Sequence, residues 1–63
     1  AGPTIMYYVY ILISEMDGKL YIGYTPDLRM RMKKHSTGLV RATKHRRPLT
    51  LIYYEAYNVE KSF

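Results

Sequence analysis

The sequence predicts an α+β domain in which a three-stranded antiparallel sheet packs against one complete helix. Three observations predict this class: two strand-like segments meet at an Asp-Gly turn, a helix with a capping signal follows them, and a third strand-like segment lies near the C-terminus. With 63 residues, 48% of them hydrophobic, the chain can form one small core. It contains no cysteine, which excludes disulfides and thiolate zinc sites.

The first two strands form a predicted hairpin. Residues 7–14 are aromatic, β-branched or aliphatic up to the last position, which indicates a strand buried on both faces. The Asp17-Gly18 pair supplies the positive φ that a hairpin turn needs. Residues 20–24 form the returning strand, in which Gly23 indicates a bulge or a close backbone approach and leaves space for a ligand.

A helix is predicted over residues 26–36. Thr25 is expected to cap it, and Pro26 suits its first position because proline lacks an N–H. The helix is expected to end before Gly38. A basic loop with one short ordered stretch is expected over residues 39–47.

The C-terminal part of the chain is predicted to contain a third strand, at residues 49–56, and the start of a second helix, at residues 57–63. The domain is therefore expected to span residues 6–63 and to lack most of its C-terminal helix. Residues 1–5 have the composition of a cloning remnant and are left out of the domain.

Basic residues are concentrated in one stretch. The formal net charge is +5, and the stretch from residue 29 to residue 47 contains no acidic residue. A block of one sign indicates an anionic partner, first of all nucleic acid, although a solvated face kept for solubility is the alternative. The predicted nucleic-acid-binding residues are Arg29, Lys33, Lys34, Arg41, Lys44, His45, Arg46 and Arg47.

Composition also bears on location. The lack of cysteine and of a signal-peptide pattern predicts a cytoplasmic protein. No apolar run is long enough to span a bilayer, and no strong apolar face accompanies the basic residues, so a membrane partner is not expected.

One set of residues has a specific spacing. The tripeptide Tyr21-Ile22-Gly23 follows an apolar strand that contains Tyr10, Arg31 follows Tyr21 by ten residues, and His35 follows Arg31 by four. These motifs resemble the GIY-YIG nuclease superfamily. The segment Thr43-Lys44-His45-Arg46-Arg47-Pro48 and the strand into Glu55 also resemble its short, single-domain bacterial branch. The resemblance covers all but the first five residues, with Tyr8 in place of the glycine of the first motif.

The resemblance implies an endonuclease that hydrolyses DNA phosphodiester bonds with one Mg²⁺ or Mn²⁺ ion. It implies that Tyr10, Tyr21, Arg31 and His35 are catalytic, with Tyr21 as the base and Arg31 on the phosphate. A phenol has an ordinary pKa of about 10, so cations beside Tyr21 would be needed to make it a base at pH 7. Arg31 and His35 lie one helical turn apart and can supply that positive charge.

The metal ligand of this superfamily is a glutamate on the helix after the third strand. By spacing it is expected beyond Phe63, because Glu55 comes too early and Glu60 is only a weak substitute. The chain is therefore expected to be inactive or weakly active as it stands.

Other interpretations remain open from the sequence. Tyr10 and Tyr21 suit packing in a sheet, Arg31 can pair with Asp27 one turn earlier, and His35 is favoured near a helix C-terminus by the dipole. A non-catalytic nucleic-acid-binding module and a structural or ribosome-associated basic protein are the alternative functions, and RNA is the alternative substrate. An uncovered sheet face predicts a homodimer.

A site that contains both Tyr10 and Tyr21 requires a particular register of the hairpin. Side chains alternate between the faces of a strand, so Tyr10 and Tyr21 share a face only if paired residue numbers in the hairpin have an odd sum. Leu12 opposite Gly23 is one such register. An even sum without a bulge would separate the two tyrosines.

Overall fold

The computed structural model describes residues 6–58 and contains the predicted α+β fold. The sheet is antiparallel with strand order β2-β1-β3. Its elements are β1 (Met6–Ser14), β2 (Leu20–Thr25), α1 (Leu28–Ser36), a short 3₁₀ helix (Lys44–Arg46) and β3 (Leu49–Asn58). In the part of the chain described, no helix is long and apolar enough to cross a membrane.

The central strand β1 has two sides that are buried to different extents. Tyr10, Leu12 and Ser14 are buried on the side against which α1 packs. Val9 and Ile11 point the other way and are only half-buried. We call these sides of the sheet the helix face and the open face. The predicted burial of β1 on both faces is wrong, because α1 covers only one of them.

The register of the hairpin is the one that places Tyr10 and Tyr21 on the same face. Tyr10 pairs with Gly23, and Leu12 pairs with Tyr21, so the paired numbers have an odd sum. Tyr10 and Tyr21 therefore lie on the same face of the sheet, the helix face. The turn contains Gly18 at φ 72°, which confirms the positive φ predicted there.

The helix α1 begins at Leu28, two residues later than predicted. Its N-cap is Asp27, whose carboxylate accepts a hydrogen bond from the Met30 N–H at 3.0 Å. Thr25, the predicted cap, is instead the buried last residue of β2, and its hydroxyl accepts from the Asp27 N–H at 3.1 Å. The helix ends before Gly38, at φ 81°, as the sequence predicted.

The strand β3 is longer than predicted. Tyr57 and Asn58, expected to begin a second helix, pair with Tyr7 and Met6 of β1, so they continue the strand. Because β1 provides hydrogen-bond partners for the backbone N–H and C=O groups of these residues, they form a strand and not a helix. The remainder of that predicted helix lies outside the described residues. The ordered stretch expected in the basic loop is the 3₁₀ helix.

Candidate active site

Three aromatic rings from different elements meet on the helix face. The ring centroid of His35, near the end of α1, lies 5.6 Å from that of Tyr10 and 5.4 Å from that of Tyr21. The two tyrosine rings are 6.4 Å apart. The fold thus brings together three of the four residues that the sequence predicted to be catalytic.

Gly23 determines how closely Tyr10 approaches β2. A Cβ atom at position 23 would lie 2.6 Å from Cζ of Tyr10, much closer than van der Waals contact. Only glycine therefore allows the Tyr10 ring to lie against the strand here. The close approach predicted from the sequence is confirmed, but the expected space for a ligand is wrong, because the ring of Tyr10 fills it.

The imidazole of His35 lies between two hydroxyl groups. Its Nε2 is 2.9 Å from Oη of Tyr10, and its Nδ1 is 2.7 Å from Oγ1 of Thr43. His35 is 2% exposed and Thr43 is completely buried. Burial, and then the positive charge of Arg31, lower the pKa of His35 below its ordinary value of 6.5. The imidazole is therefore neutral at pH 7 and carries one N–H.

Tyr10 and Tyr21 occupy different environments in this site. Tyr10 is 1% exposed, whereas Tyr21 is half-buried and reaches the surface. Burial raises the pKa of Tyr10, the neighbouring Tyr21 raises it further, and Arg31 partly offsets both. Tyr10 therefore keeps its proton at neutral pH, while Tyr21 is the phenol that solvent or a substrate can reach.

Arg31 is half-buried on α1, beside these rings. Within residues 6–58 it forms no ion pair or side-chain hydrogen bond. The alternative pairing with Asp27 does not occur, because that carboxylate caps the helix. Its guanidinium is thus left available for an anionic group, and a guanidinium suits the geometry of phosphate.

The predicted nucleic-acid-binding residues fall into two groups. Six are exposed and have no ion pair in the described part of the chain: Arg29, Lys33, Lys34, Arg41, Lys44 and His45. Arg46 forms an ion pair with Asp17, at 3.2 Å. Arg47 donates to the backbone oxygens of Lys44, at 3.0 Å, and of Ser36, at 3.3 Å. Arg46 thus connects the basic loop to the hairpin turn, and Arg47 connects it to the end of α1.

The described residues do not fit a metal ion. Among residues 6–58 there is no group of three His, Asp or Glu side chains that could hold one. Both ring nitrogens of His35 are engaged. Glu55 pairs opposite Val9 on the open face, where its carboxylate accepts from the Tyr53 hydroxyl at 2.6 Å. Glu60 lies outside the described residues.

Thr43 is a site residue for which no role was predicted from the sequence. It precedes the 3₁₀ helix in a stretch that is otherwise basic, and no apolar periodicity there signals burial. Its burial follows from the turn after α1, where its N–H donates to the Val40 oxygen and its own oxygen accepts from the Arg46 N–H. The one signal in the sequence was its place in the segment 43–48, which is part of the resemblance to the GIY-YIG superfamily.

A comparison with protein families identifies the class of this domain. Residues 6–63 match the GIY-YIG catalytic domain, and the chain belongs to that family. GIY-YIG domains are nuclease-type catalytic domains, and GIY-YIG nucleases generally use a divalent metal.

The chain is similar to bacterial UPF0213 proteins. It is 44% identical over 52 residues to one from Streptococcus agalactiae, an alignment that covers 81% of this chain and 58% of that protein. It is 42% identical over 55 residues to one from Staphylococcus aureus, with 86% and 66% covered. The chain thus spans little more than half the length of the streptococcal relative. No solved structure matches it significantly.

Proposed function

We propose that this protein is an endonuclease that hydrolyses DNA phosphodiester bonds, with Tyr21 as the base and Arg31 as the phosphate ligand. The observation that carries the proposal is the convergence of Tyr10, Tyr21 and His35 on one sheet face, beside an arginine without a side-chain partner in residues 6–58. A packing role alone gives no reason to place a free guanidinium next to two phenols and a neutral imidazole.

Each group has a distinct task in this proposal. Hydrolysis needs a base for the attacking water and a positive charge for the phosphoryl oxygens. Tyr21 is the accessible phenol, and Arg31 supplies the positive charge that binds the phosphate. Tyr10 is buried and protonated, so it orients groups through hydrogen bonds instead of taking the proton of the water.

One Mg²⁺ or Mn²⁺ ion is part of the proposal, as the resemblance implied. Residues 6–58 contain no group of three His, Asp or Glu side chains that could hold the ion, so we look for its ligand outside them. The glutamate expected beyond Phe63 is our candidate for that ligand. Tests of activity should therefore use a form as long as the streptococcal relative, of which this chain covers 58%, in parallel with the present chain. We call the longer form the complete protein.

The six exposed basic residues favour a second function, a nucleic-acid-binding module without catalysis. These side chains can neutralise phosphates whether or not the tyrosines act, and such binding is sensitive to salt. DNA is the proposed partner, and RNA is the alternative. The proposed location of the protein is the cytoplasm. Cleavage requires the hydroxyl group of Tyr21, whereas binding without catalysis does not.

The open face supports a further element of the proposal, a homodimer. Ile22 is 65% exposed and Tyr24 is 72% exposed there, and such apolar surface favours contact with a second copy. A molar mass of one chain by light scattering at high protein concentration would contradict it.

The substitution Tyr21→Phe tests the enzyme directly, and Tyr24→Phe is its matched control. Both residues belong to β2, but they lie on opposite faces. We expect Tyr21→Phe to lower the single-turnover cleavage rate of a DNA duplex by about 10²- to 10⁴-fold, the usual contribution of a general base. DNA affinity at fixed salt should be unchanged, and Tyr24→Phe should cleave like the wild type.

Two outcomes would count against this assignment. Unchanged cleavage by Tyr21→Phe would remove Tyr21 from the chemistry. No cleavage by the complete wild-type protein with either metal, combined with intact salt-dependent binding, would favour the binding module.

A further inference from the structure

The Thr43 hydroxyl is a buried polar group for which nuclease chemistry has no evident use. It is completely buried, and its side-chain partner is Nδ1 of His35 at 2.7 Å. The backbone around it is fixed, because Thr43 donates to the Val40 oxygen and accepts from the Arg46 N–H. A rigidly placed hydroxyl against one ring nitrogen can control which nitrogen carries the proton.

Two arrangements of the hydrogen bonds satisfy a neutral His35. In the first, Nδ1–H donates to Oγ1 of Thr43, and Nε2 accepts from the Tyr10 hydroxyl. In the second, the Thr43 hydroxyl donates to Nδ1, and Nε2–H donates to Oη of Tyr10. The distances of 2.7 Å and 2.9 Å suit both, so the choice depends on the strengths of donors and acceptors.

The first arrangement pairs the stronger partners at both nitrogens. A phenol, with a pKa of about 10, is a stronger donor than an aliphatic hydroxyl, so it is the better partner for the bare imidazole nitrogen. An aliphatic oxygen is a better acceptor than a phenol oxygen, so Thr43 is the better partner for the N–H. Both preferences place the proton on Nδ1.

We infer that Thr43 is a positioning residue that holds His35 as the Nδ1–H tautomer, so that the Tyr10 hydroxyl donates to Nε2 and keeps its lone pairs for a donor in the site. In the opposite tautomer the Tyr10 hydrogen would be free, and the hydroxyl would present a donor instead of an acceptor. Thr43 thereby sets the polarity of the hydrogen-bonded chain from Thr43 through His35 to Tyr10. The catalytic consequence of this inference rests on the proposed nuclease function, whereas the tautomer does not.

The tautomer is measurable by ¹⁵N NMR of histidine-labelled protein at pH 7. A protonated and a bare ring nitrogen resonate at well-separated frequencies, and the exposed His45 provides an internal reference. We expect a protonated Nδ1 and a bare Nε2 for His35 in the wild type. Thr43→Ser, which keeps the hydroxyl, should preserve this pattern. Thr43→Val removes the acceptor and should move the proton to Nε2.

Cleavage assays of the complete protein test the catalytic consequence. Thr43→Val should lower kcat on the order of 10- to 100-fold, as is typical when the partner that orients a metal-ligating histidine is removed. KM for DNA should not change, because Thr43 does not reach the surface. Thr43→Ser should restore kcat, which a loss of packing alone would not explain.

The outcomes separate the inference from the nuclease proposal. A wild-type His35 protonated at Nε2 would overturn the inference even if Thr43→Val did not fold. An unchanged tautomer in a folded Thr43→Val would also overturn it. A switched tautomer with unchanged kcat would overturn the catalytic consequence alone. A complete protein that does not cleave, but has the expected tautomer, would refute the nuclease and leave the role of Thr43 standing.

Discussion

The two faces of the sheet use the same residue type in different ways. Each face carries four of the eight tyrosines: Tyr8, Tyr10, Tyr21 and Tyr54 on the helix face, and Tyr7, Tyr24, Tyr53 and Tyr57 on the open face. On the helix face, Tyr10 is buried against a histidine. On the open face, Tyr24 packs edge-to-face on Tyr7 at 6.2 Å and remains 72% exposed.

The difference comes from the partners that α1 and the basic loop supply. Ser14, Thr25, His35 and Thr43 are all buried on the helix side, and within residues 6–58 no buried side-chain nitrogen or oxygen lacks a hydrogen-bond partner. Such groups are costly to bury unless they are hydrogen-bonded, and α1 and the basic loop provide the partners. The open face offers mainly apolar surface instead.

The largest contrast between the faces should be in stability. Tyr10→Ala should lower the free energy of unfolding by about 3–5 kcal/mol, because it leaves a cavity and strands the Nε2 atom of His35. Tyr24→Ala, on the exposed side of β2, should cost less than about 1 kcal/mol. Urea unfolding followed by circular dichroism measures both. Equal losses would mean that the open face is as tightly packed as the helix face.

Gly23→Ala should have the next largest effect. The new Cβ would collide with the Tyr10 ring, and overpacking of this kind costs about 1–3 kcal/mol. A double-mutant cycle with Tyr10→Leu sharpens the test. The cost of Gly23→Ala should shrink in the Tyr10→Leu background, because the colliding ring is gone. Additive costs would place the strain elsewhere in β2.

The pH dependence of stability is the smallest expected difference. Because the folded protein lowers the pKa of His35, the unfolded chain binds a proton more readily below the ordinary value of 6.5. The free energy of unfolding should therefore fall as the pH drops from about 6.5 toward about 5. His35→Gln should flatten this slope, and the exposed His45→Gln should not. A slope that persists in His35→Gln would assign it to other groups.

The sequence predicted the parts of the molecule that depend on local signals. The Asp17-Gly18 turn produced the predicted hairpin, and α1 ends before Gly38 as predicted. Each follows from turn or capping residues within a short stretch of chain. The odd register that brings Tyr10 and Tyr21 to one face was a condition that the sequence left open. The family resemblance contributed the expectation that these positions act together.

The sequence did not predict features that depend on tertiary contacts. Thr25 and Asp27 are both good capping residues, and only the pairing of β2 with β1 assigns Thr25 to the strand. Tyr57 continues β3 because β1 offers it a partner strand. Thr43 became a site residue only because the turn after α1 folds back onto His35. No local pattern contains these contacts.

The proposed nuclease function places nucleic acid on the helix face and not on the open face. Titration of ¹³C-tyrosine-labelled protein with a short DNA duplex tests it directly, because every tyrosine reports on a known face. We predict shifts or broadening of the Tyr21 and Tyr10 ring resonances, with Tyr24 and Tyr53 unaffected. Changes confined to Tyr24 and Tyr53 would contradict this placement and assign DNA binding to the open face.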